Sequence, residues 1–106
     1  MDKPSQQITI HEAKKMMENP SSVIIDIRAQ DAFQEAHIAG ALNVHQDNLQ
    51  NFLLSANRSS PLICYCYHGF SSQDAAQYFL QQGFQDVYSV EGGFEAWRLE
   101  YPVTTK

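Results

Sequence analysis

"PLICYCYHGFSSQDAAQYFL", residues 61–80, is the stretch on which the fold turns. Residues 61–66 form an apolar run, the composition of a strand buried on both faces of a parallel sheet. From Ser71 or Ser72 onward, Ala75, Ala76, Phe79 and Leu80 recur at helical spacing until Gly83, a helix stop. A short loop joins strand to helix. This unit holds both cysteines of the chain, Cys64 and Cys66.

Working outward, the same alternation repeats. "SVIIDI" (22–27) is a second β-branched run of the doubly buried type, followed by "AQDAFQEA" (29–36) with helical character and "ALNV" (41–44) as a short strand. "DNLQNFLLS" (47–55) places Leu49, Phe52 and Leu53 on one helical face. Towards the C-terminus come the strand "DVYSV" (86–90) and the helix "GGFEAWRLE" (92–100), which Pro102 ends. At the other end Ile8 belongs to a short strand. Thr9 and Glu12 make a capping box for a helix that runs to Asn19 and Pro20. Strands alternating with helices over short links imply right-handed crossovers: one α/β domain over residues 1–106, with a mainly parallel central sheet and helices on both faces.

The bulk composition agrees. With 106 residues, 43% of them hydrophobic, the chain can bury one core without disulfide or metal staples. A net charge of -5 and seven scattered Lys and Arg exclude a basic face for nucleic acid or an anionic membrane. The polar start "MDKPSQQ" lacks the apolar core of a signal peptide, and no apolar run approaches the ~18 residues of a membrane span, so a cytoplasmic location is expected. Cysteines two residues apart on a strand sit ~6.6 Å apart at Cα, near the limit of disulfide geometry. Free thiols in a reducing compartment are expected.

In open parallel sheets, ligands bind beyond the carboxyl ends of the strands, where Cys66 falls. A thiol between a strand end and a helix start meets converging N–H groups and the positive end of the helix dipole, both of which favour thiolate. Holding a cysteine near pH ~6.5 instead of its usual ~8.5 takes about 2.7 kcal/mol. A helix N-terminus supplies only ~0.3 to 2 kcal/mol, so loop amides must also point at the sulfur. "CYHGFSS" permits this: Gly69 lets the backbone curl, and Ser71 or Ser72 can cap the helix with a hydroxyl left to face the sulfur. Spacing alone leaves open the plainer role of Cys66 as a small buried hydrophobe. Cys64 is expected to be a packed core thiol, its alternative being to resolve an oxidised Cys66. Cys64, Cys66 and His68 lack both a fourth ligand and the usual metal-site spacing, so no metal is expected.

The order and spacing of "VIIDIR", "FQEAHIAGALNV", "CYHGFSS" and "VEGGFEAW" resemble the rhodanese family from Ile8 to Trp97, and "QYFLQQGF" is similar to its short bacterial single-domain members. The resemblance implies a rhodanese-like domain and a sulfurtransferase. Its cysteine thiolate takes the sulfane sulfur of thiosulfate or a similar anionic donor, holds it as a persulfide, and yields it to cyanide or a thiol, a thioredoxin-like dithiol among the candidates. It implies no metal and no organic cofactor. By position, Cys66 is the nucleophile, and Tyr67, His68, Gly69, Phe70, Ser71 and Ser72 form the substrate-binding loop, acting mostly through backbone N–H. Asp26 and Arg28 match a supporting pair near that loop, the alternative being a surface ion pair worth ~0 to 1 kcal/mol. His37 reads as a structural hydrogen-bonding residue, although Ala36 stands where the family more often has glycine. His68 is not expected to transfer a proton, and His11 and His45 read as surface residues. Phe94 and Trp97 read as core anchors.

Two rival functions share this fold. Phosphatases of the same fold place an arginine six residues after the cysteine to clamp phosphate. Here that position is Ser72. Regulatory domains of the fold commonly lack the cysteine, which is present here. The loop carries no Lys or Arg, so donor binding must lean on amides, Ser71 and Ser72, with Phe70 apolar where a cation could sit.

Overall fold

The computed structural model describes residues 6–106. In chain order the elements are β1 (Gln6–Ile8), α1 (Ile10–Met16), β2 (Val23–Asp26), α2 (Gln30–Glu35), β3 (Leu42–Asn43), α3 (Leu49–Ser55), β4 (Leu62–Tyr65), α4 (Ser71–Gln81), β5 (Val87–Val90) and α5 (Gly93–Glu100). Each arises where its sequence pattern places it. Thr9 and Glu12 form both halves of the capping box that starts α1. At the far end of α4 the Phe84 amide bonds Phe79 O and the Gly83 amide bonds Leu80 O, while the Phe84 ring meets Phe79 edge to face. That pair of bonds, with its apolar contact, is a Schellman stop.

One helix is shorter than its sequence pattern. α1 ends at Met16 rather than at Asn19, because the Glu18 and Asn19 amides bond carbonyls three residues back, Lys15 O and Met16 O. The tightened turn stops propagation before Pro20.

The strands form one five-stranded sheet in the order β1-β5-β4-β2-β3, and all neighbouring pairs are parallel. The expected parallel α/β sheet, with helices on both faces, is therefore what forms. Side chains alternate across the strands and divide the core in two. Ile24, Ile63, Tyr65 and Val90 pack with Ile10, Ala13, Phe94 and Trp97 from α1 and α5, with Phe33 of α2 against them. On the opposite face Ile25, Leu62, Cys64 and Val87 pack with Leu53 of α3 and with Ala76 and Phe79 of α4. Phe94 and Trp97 are core anchors, as expected.

β2 and β4 are the sheet's switch point. From β2 the chain moves outward to β3, and from β4 it moves the other way to β5, so α2 and α4 leave from opposite faces. The crevice this opens, at the carboxyl ends of β2 and β4, is where such sheets hold ligands. Asp26 ends β2 and Cys66 directly follows β4. Among the described residues no helix is long and apolar enough to cross a membrane.

Candidate active site

Cys66 is the first residue past the central strand, and residues 67–70 carry the chain over its sulfur into α4. The Gly69 amide donates to Cys66 Sγ at 3.2 Å and the Ser72 amide at 3.3 Å, while Ser72 Oγ lies 3.4 Å from the same sulfur. The thiol is buried. Burial pushes it up, but the Ser72 hydroxyl together with the Ser72, Gly69 and His68 amides outweighs burial, and its pKa falls below the ordinary cysteine value. Among the described residues no cation bonds the sulfur. The anionic form is favoured by main-chain dipoles and one hydroxyl.

Neither serine caps α4. The N-cap residue is Phe70, and no side chain caps the helix. Ser71 is exposed, and Ser72, buried in the first turn, turns its hydroxyl inward to the sulfur and to Ser89 Oγ, 2.7 Å away. The reason is visible in the bonding. An N-cap side chain normally accepts from the second or third amide of a helix, and here Cys66 Sγ accepts from the second, that of Ser72. The sulfur stands in for the cap. Gln73 Nε2 closes the turn from the other side by donating to Gly69 O at 2.7 Å.

The loop is pinned from below by α5. The Phe94 amide donates to Cys66 O at 2.8 Å and the Glu95 amide to Tyr67 O at 3.0 Å, so the start of one helix holds the carbonyls of the loop whose amides face the sulfur. This requires close backbone approach. A Cβ on Gly93, whose φ is +56°, would lie 2.7 Å from the Tyr67 carbonyl carbon and would overlap Cys66 O. A Cβ on Gly69, at φ +91°, would lie 2.8 Å from Gly92 N. Both residues are glycine because another backbone occupies the side-chain space.

Asp26 and Arg28 form a buried pair, not a surface one: their side chains are 0% and 2% exposed. Arg28 Nε contacts both carboxylate oxygens at 3.0 Å, Nη2 reaches Asp26 Oδ2 at 2.6 Å, and the Arg28 amide donates to Asp26 Oδ1 at 2.8 Å. Nη2 also donates to Ala36 O at 2.6 Å. The guanidinium lies 4.0 Å from the Phe94 ring centre and 5.2 Å from that of Tyr67. Burial alone would lower the Arg28 pKa, and the bonds and charge of Asp26 raise it instead. The pair thus ties the end of β2 to the same α5 start and loop that cradle Cys66.

The other candidates separate cleanly. Tyr67 and Phe70 are 45% and 77% exposed and form an apolar rim. The His68 ring is exposed and makes no hydrogen bond to the sulfur, so only its amide serves the site. Cys64, fully buried opposite Ile25 and Ser89, is pushed far above the ordinary thiol range by burial and by the neighbouring Cys66, which makes it a core thiol. His37 is buried, bonded through Nδ1 to Phe33 O and through Nε2 to Lys106 O, each at 2.7 Å. His11 is exposed and bonds Tyr101 Oη at 2.6 Å. Among the described residues no three His, Cys, Asp or Glu side chains converge as a metal site would require.

Three contributors escaped the sequence motifs. Ser89 left one trace, a lone hydroxyl in the strand "VYSV" at the position that alternates inward with Val87. Asn43 donates through Nδ2 to Asp26 O and Arg28 O, each at 3.0 Å, and fixes the turn between the paired residues. Tyr65 Oη accepts from the Ile38 amide at 3.1 Å, joining β4 to the segment after α2.

Known proteins resemble this chain in sequence and fold. The family model for the rhodanese-like domain matches residues 9–100. The thiosulfate sulfurtransferase GlpE of Pseudomonas aeruginosa is 45% identical over 100 residues, covering 94% of this chain and 90% of that protein. GlpE of Coxiella burnetii is 43% identical over 98 residues, 92% of each chain. Among solved structures, a rhodanese-like domain from Anabaena superposes with a TM-score of 0.85 at 24% identity, covering 96% of this chain and 80% of that one.

Proposed function

The chain belongs to the rhodanese-like domain family, and from that premise we propose that it is a thiosulfate sulfurtransferase whose Cys66 carries the transferred sulfur as a persulfide. The observation that carries the reading is the cradle: a buried sulfur accepting the Gly69 and Ser72 amides, with its pKa lowered and, among the described residues, no cation bonded to it. Near-full-length likeness to two proteins named as thiosulfate sulfurtransferases supports the donor.

The steps balance as follows. The Cys66 thiolate attacks the outer sulfur of thiosulfate, the donor S–S bond breaks, and its electron pair leaves with sulfite. The outer sulfur of the new persulfide then carries the negative charge. The amides of Phe70 and Ser71, which bond nothing else among the described residues, and those of Tyr67, His68, Gly69 and Ser72 form the nest for it. Cyanide or a thiolate attacks that sulfur, leaving as thiocyanate or as a new persulfide, and Cys66 returns as thiolate. A thioredoxin-like dithiol fits the acceptor role as well as a small thiol does. In this reading Tyr67, His68, Gly69, Phe70 and Ser71 act through backbone, Ser72 through both amide and hydroxyl, and Asp26 and Arg28 hold the loop in place. Two free cysteines suit a reducing, cytoplasmic setting.

The short loop argues against phosphoryl chemistry. Ser72 turns inward onto the sulfur, so its position presents no guanidinium to a phosphate. Thiocyanate formation from thiosulfate and cyanide tests the assignment. Wild type and Cys64→Ala are expected to turn over and Cys66→Ser to be inactive; a Cys66→Ser protein that keeps its rate overturns it.

A further inference from the structure

Ser89 is fully buried on β5, in register with Cys64. Its hydroxyl lies 2.7 Å from Ser72 Oγ and makes no other hydrogen bond among the described residues. Ser72 Oγ lies in turn 3.4 Å from Cys66 Sγ. We propose that Ser89 is a positioning residue for the nucleophile: it donates to Ser72 and thereby turns the Ser72 hydroxyl proton onto the Cys66 sulfur. The proposal rests on the reading of Cys66 as the sulfur carrier.

Counting protons carries the argument. The chain Ser89–Ser72–Cys66 has two links, and each link holds one proton. When Cys66 is a thiol, three protons compete for two links, and one buried donor is left without an acceptor, which is costly. When Cys66 is a thiolate, two protons fill two links: Ser89 gives to Ser72, and Ser72 gives to sulfur. The opposite sense, Ser72 giving to Ser89, strands the Ser89 proton and strips the anion of its hydroxyl donor. The persulfide state also has no proton on Sγ, so the same arrangement suits it. The network therefore favours both reactive forms over the resting thiol, and Ser89, by donating to Ser72, polarises the hydroxyl that Ser72 gives to the sulfur and strengthens that bond.

No competing group blurs this assignment. The titratable and charged side chains on the elements around the sulfur are Cys64 and Tyr65 on β4, Tyr67 and His68 on the loop, Asp74 and Tyr78 on α4, Tyr88 on β5 and Glu91 after it, Glu95, Arg98 and Glu100 on α5, and the mutually bonded pair of Asp26, at the end of β2, and Arg28. The hydrogen bonds at Cys66 Sγ and at the two hydroxyls involve none of these side chains.

The test is the pH dependence of Cys66 alkylation by iodoacetamide, followed as the Cys66 adduct by peptide mass, in wild type, Ser89→Ala, Ser72→Ala and the double variant. Ser89→Ala is expected to raise the midpoint by about half to one pH unit, roughly a three- to tenfold change in the ionisation constant, the scale of weakening one bond to a charged group. In the Ser72→Ala background, Ser89→Ala should shift nothing further, because Ser89 acts through Ser72. Ser89→Thr, which keeps the hydroxyl, should restore the wild-type midpoint. Ser89→Cys, a weaker donor of similar volume, replaces the alanine variant if that one does not fold. An unchanged midpoint in Ser89→Ala, or an equal shift with and without Ser72, overturns the proposal. Alkylation reads the thiol and not turnover, so a wild type that transfers no sulfur sinks the sulfurtransferase assignment, whereas an unmoved midpoint sinks only the role of Ser89.

Discussion

Gly93→Ala is expected to damage both stability and catalysis, and Gly40→Ala supplies its control. Both glycines have positive φ, +56° for Gly93 and +86° for Gly40, so alanine at either strains the backbone by ~1 to 2 kcal/mol. The sites differ in what surrounds them. A Cβ at Gly40 meets nothing within 4 Å, whereas at Gly93 it would sit 2.7 Å from the Tyr67 carbonyl carbon and oxygen. Those neighbours are backbone and cannot rotate away. The loop must lift off α5, loosening the Phe94–Cys66 and Glu95–Tyr67 backbone bonds. At ~0.5 to 1.5 kcal/mol each, two such bonds add about 1 to 3 kcal/mol. Gly40→Ala should therefore cost about 1 to 2 kcal/mol and Gly93→Ala about 2 to 5 kcal/mol in urea unfolding. Displacing the amides that face Cys66 by ~1 Å should also lower kcat/KM by ~10²-fold in Gly93→Ala and leave Gly40→Ala near wild type. Equal destabilisation of the two variants, with unimpaired sulfur transfer in Gly93→Ala, would refute the claim that α5 pins the loop.

Further predictions concern the ion pair, the thiolate and the rim. Removing one partner of a buried pair strands the other charge, so Arg28→Met alone should destabilise by ~3 to 5 kcal/mol, while Asp26→Leu combined with Arg28→Met should recover most of that loss in a double-mutant cycle. A thiol whose pKa falls on folding contributes stability that is fully present above its unfolded value of ~8.5 and is lost as pH falls through the folded midpoint. The stability difference between wild type and Cys66→Ala, measured by urea unfolding across pH, should accordingly grow as pH rises towards ~8.5 and then level off. A difference that shrinks over that range contradicts the direction of the Cys66 shift. Because Phe70 is 77% exposed beside an anion site without a cation, Phe70→Lys should lower KM for thiosulfate with little effect on stability, and an unchanged or higher KM counts against an amide-only donor site.

The fold was legible because its signals are local. Apolar β-branched runs such as residues 22–27 read as doubly buried strands, the Thr9 and Glu12 box marks a helix start, and Gly83 marks a stop, so the order of elements follows without tertiary knowledge. The position of Cys66 past the central strand was legible for the same reason. What escaped depends on partners far away in the chain. The depth of the Asp26–Arg28 pair comes from Phe94 and Tyr67, which a D-x-R spacing does not reveal. The expected serine cap of α4 gave way because a sulfur six residues upstream of Ser72 already bonds the amide a cap would have served. Ser89 left only a lone hydroxyl among apolar neighbours, and its partner Ser72 lies 17 residues away on α4.

The account stands most directly on the intact mass of the protein after incubation with thiosulfate and removal of the excess. Wild type and Cys64→Ala are predicted to gain one sulfur atom and to lose it on addition of cyanide, while Cys66→Ser gains nothing. A wild type whose mass never changes, or a Cys66→Ser protein that still takes up the sulfur, contradicts a persulfide held at Cys66.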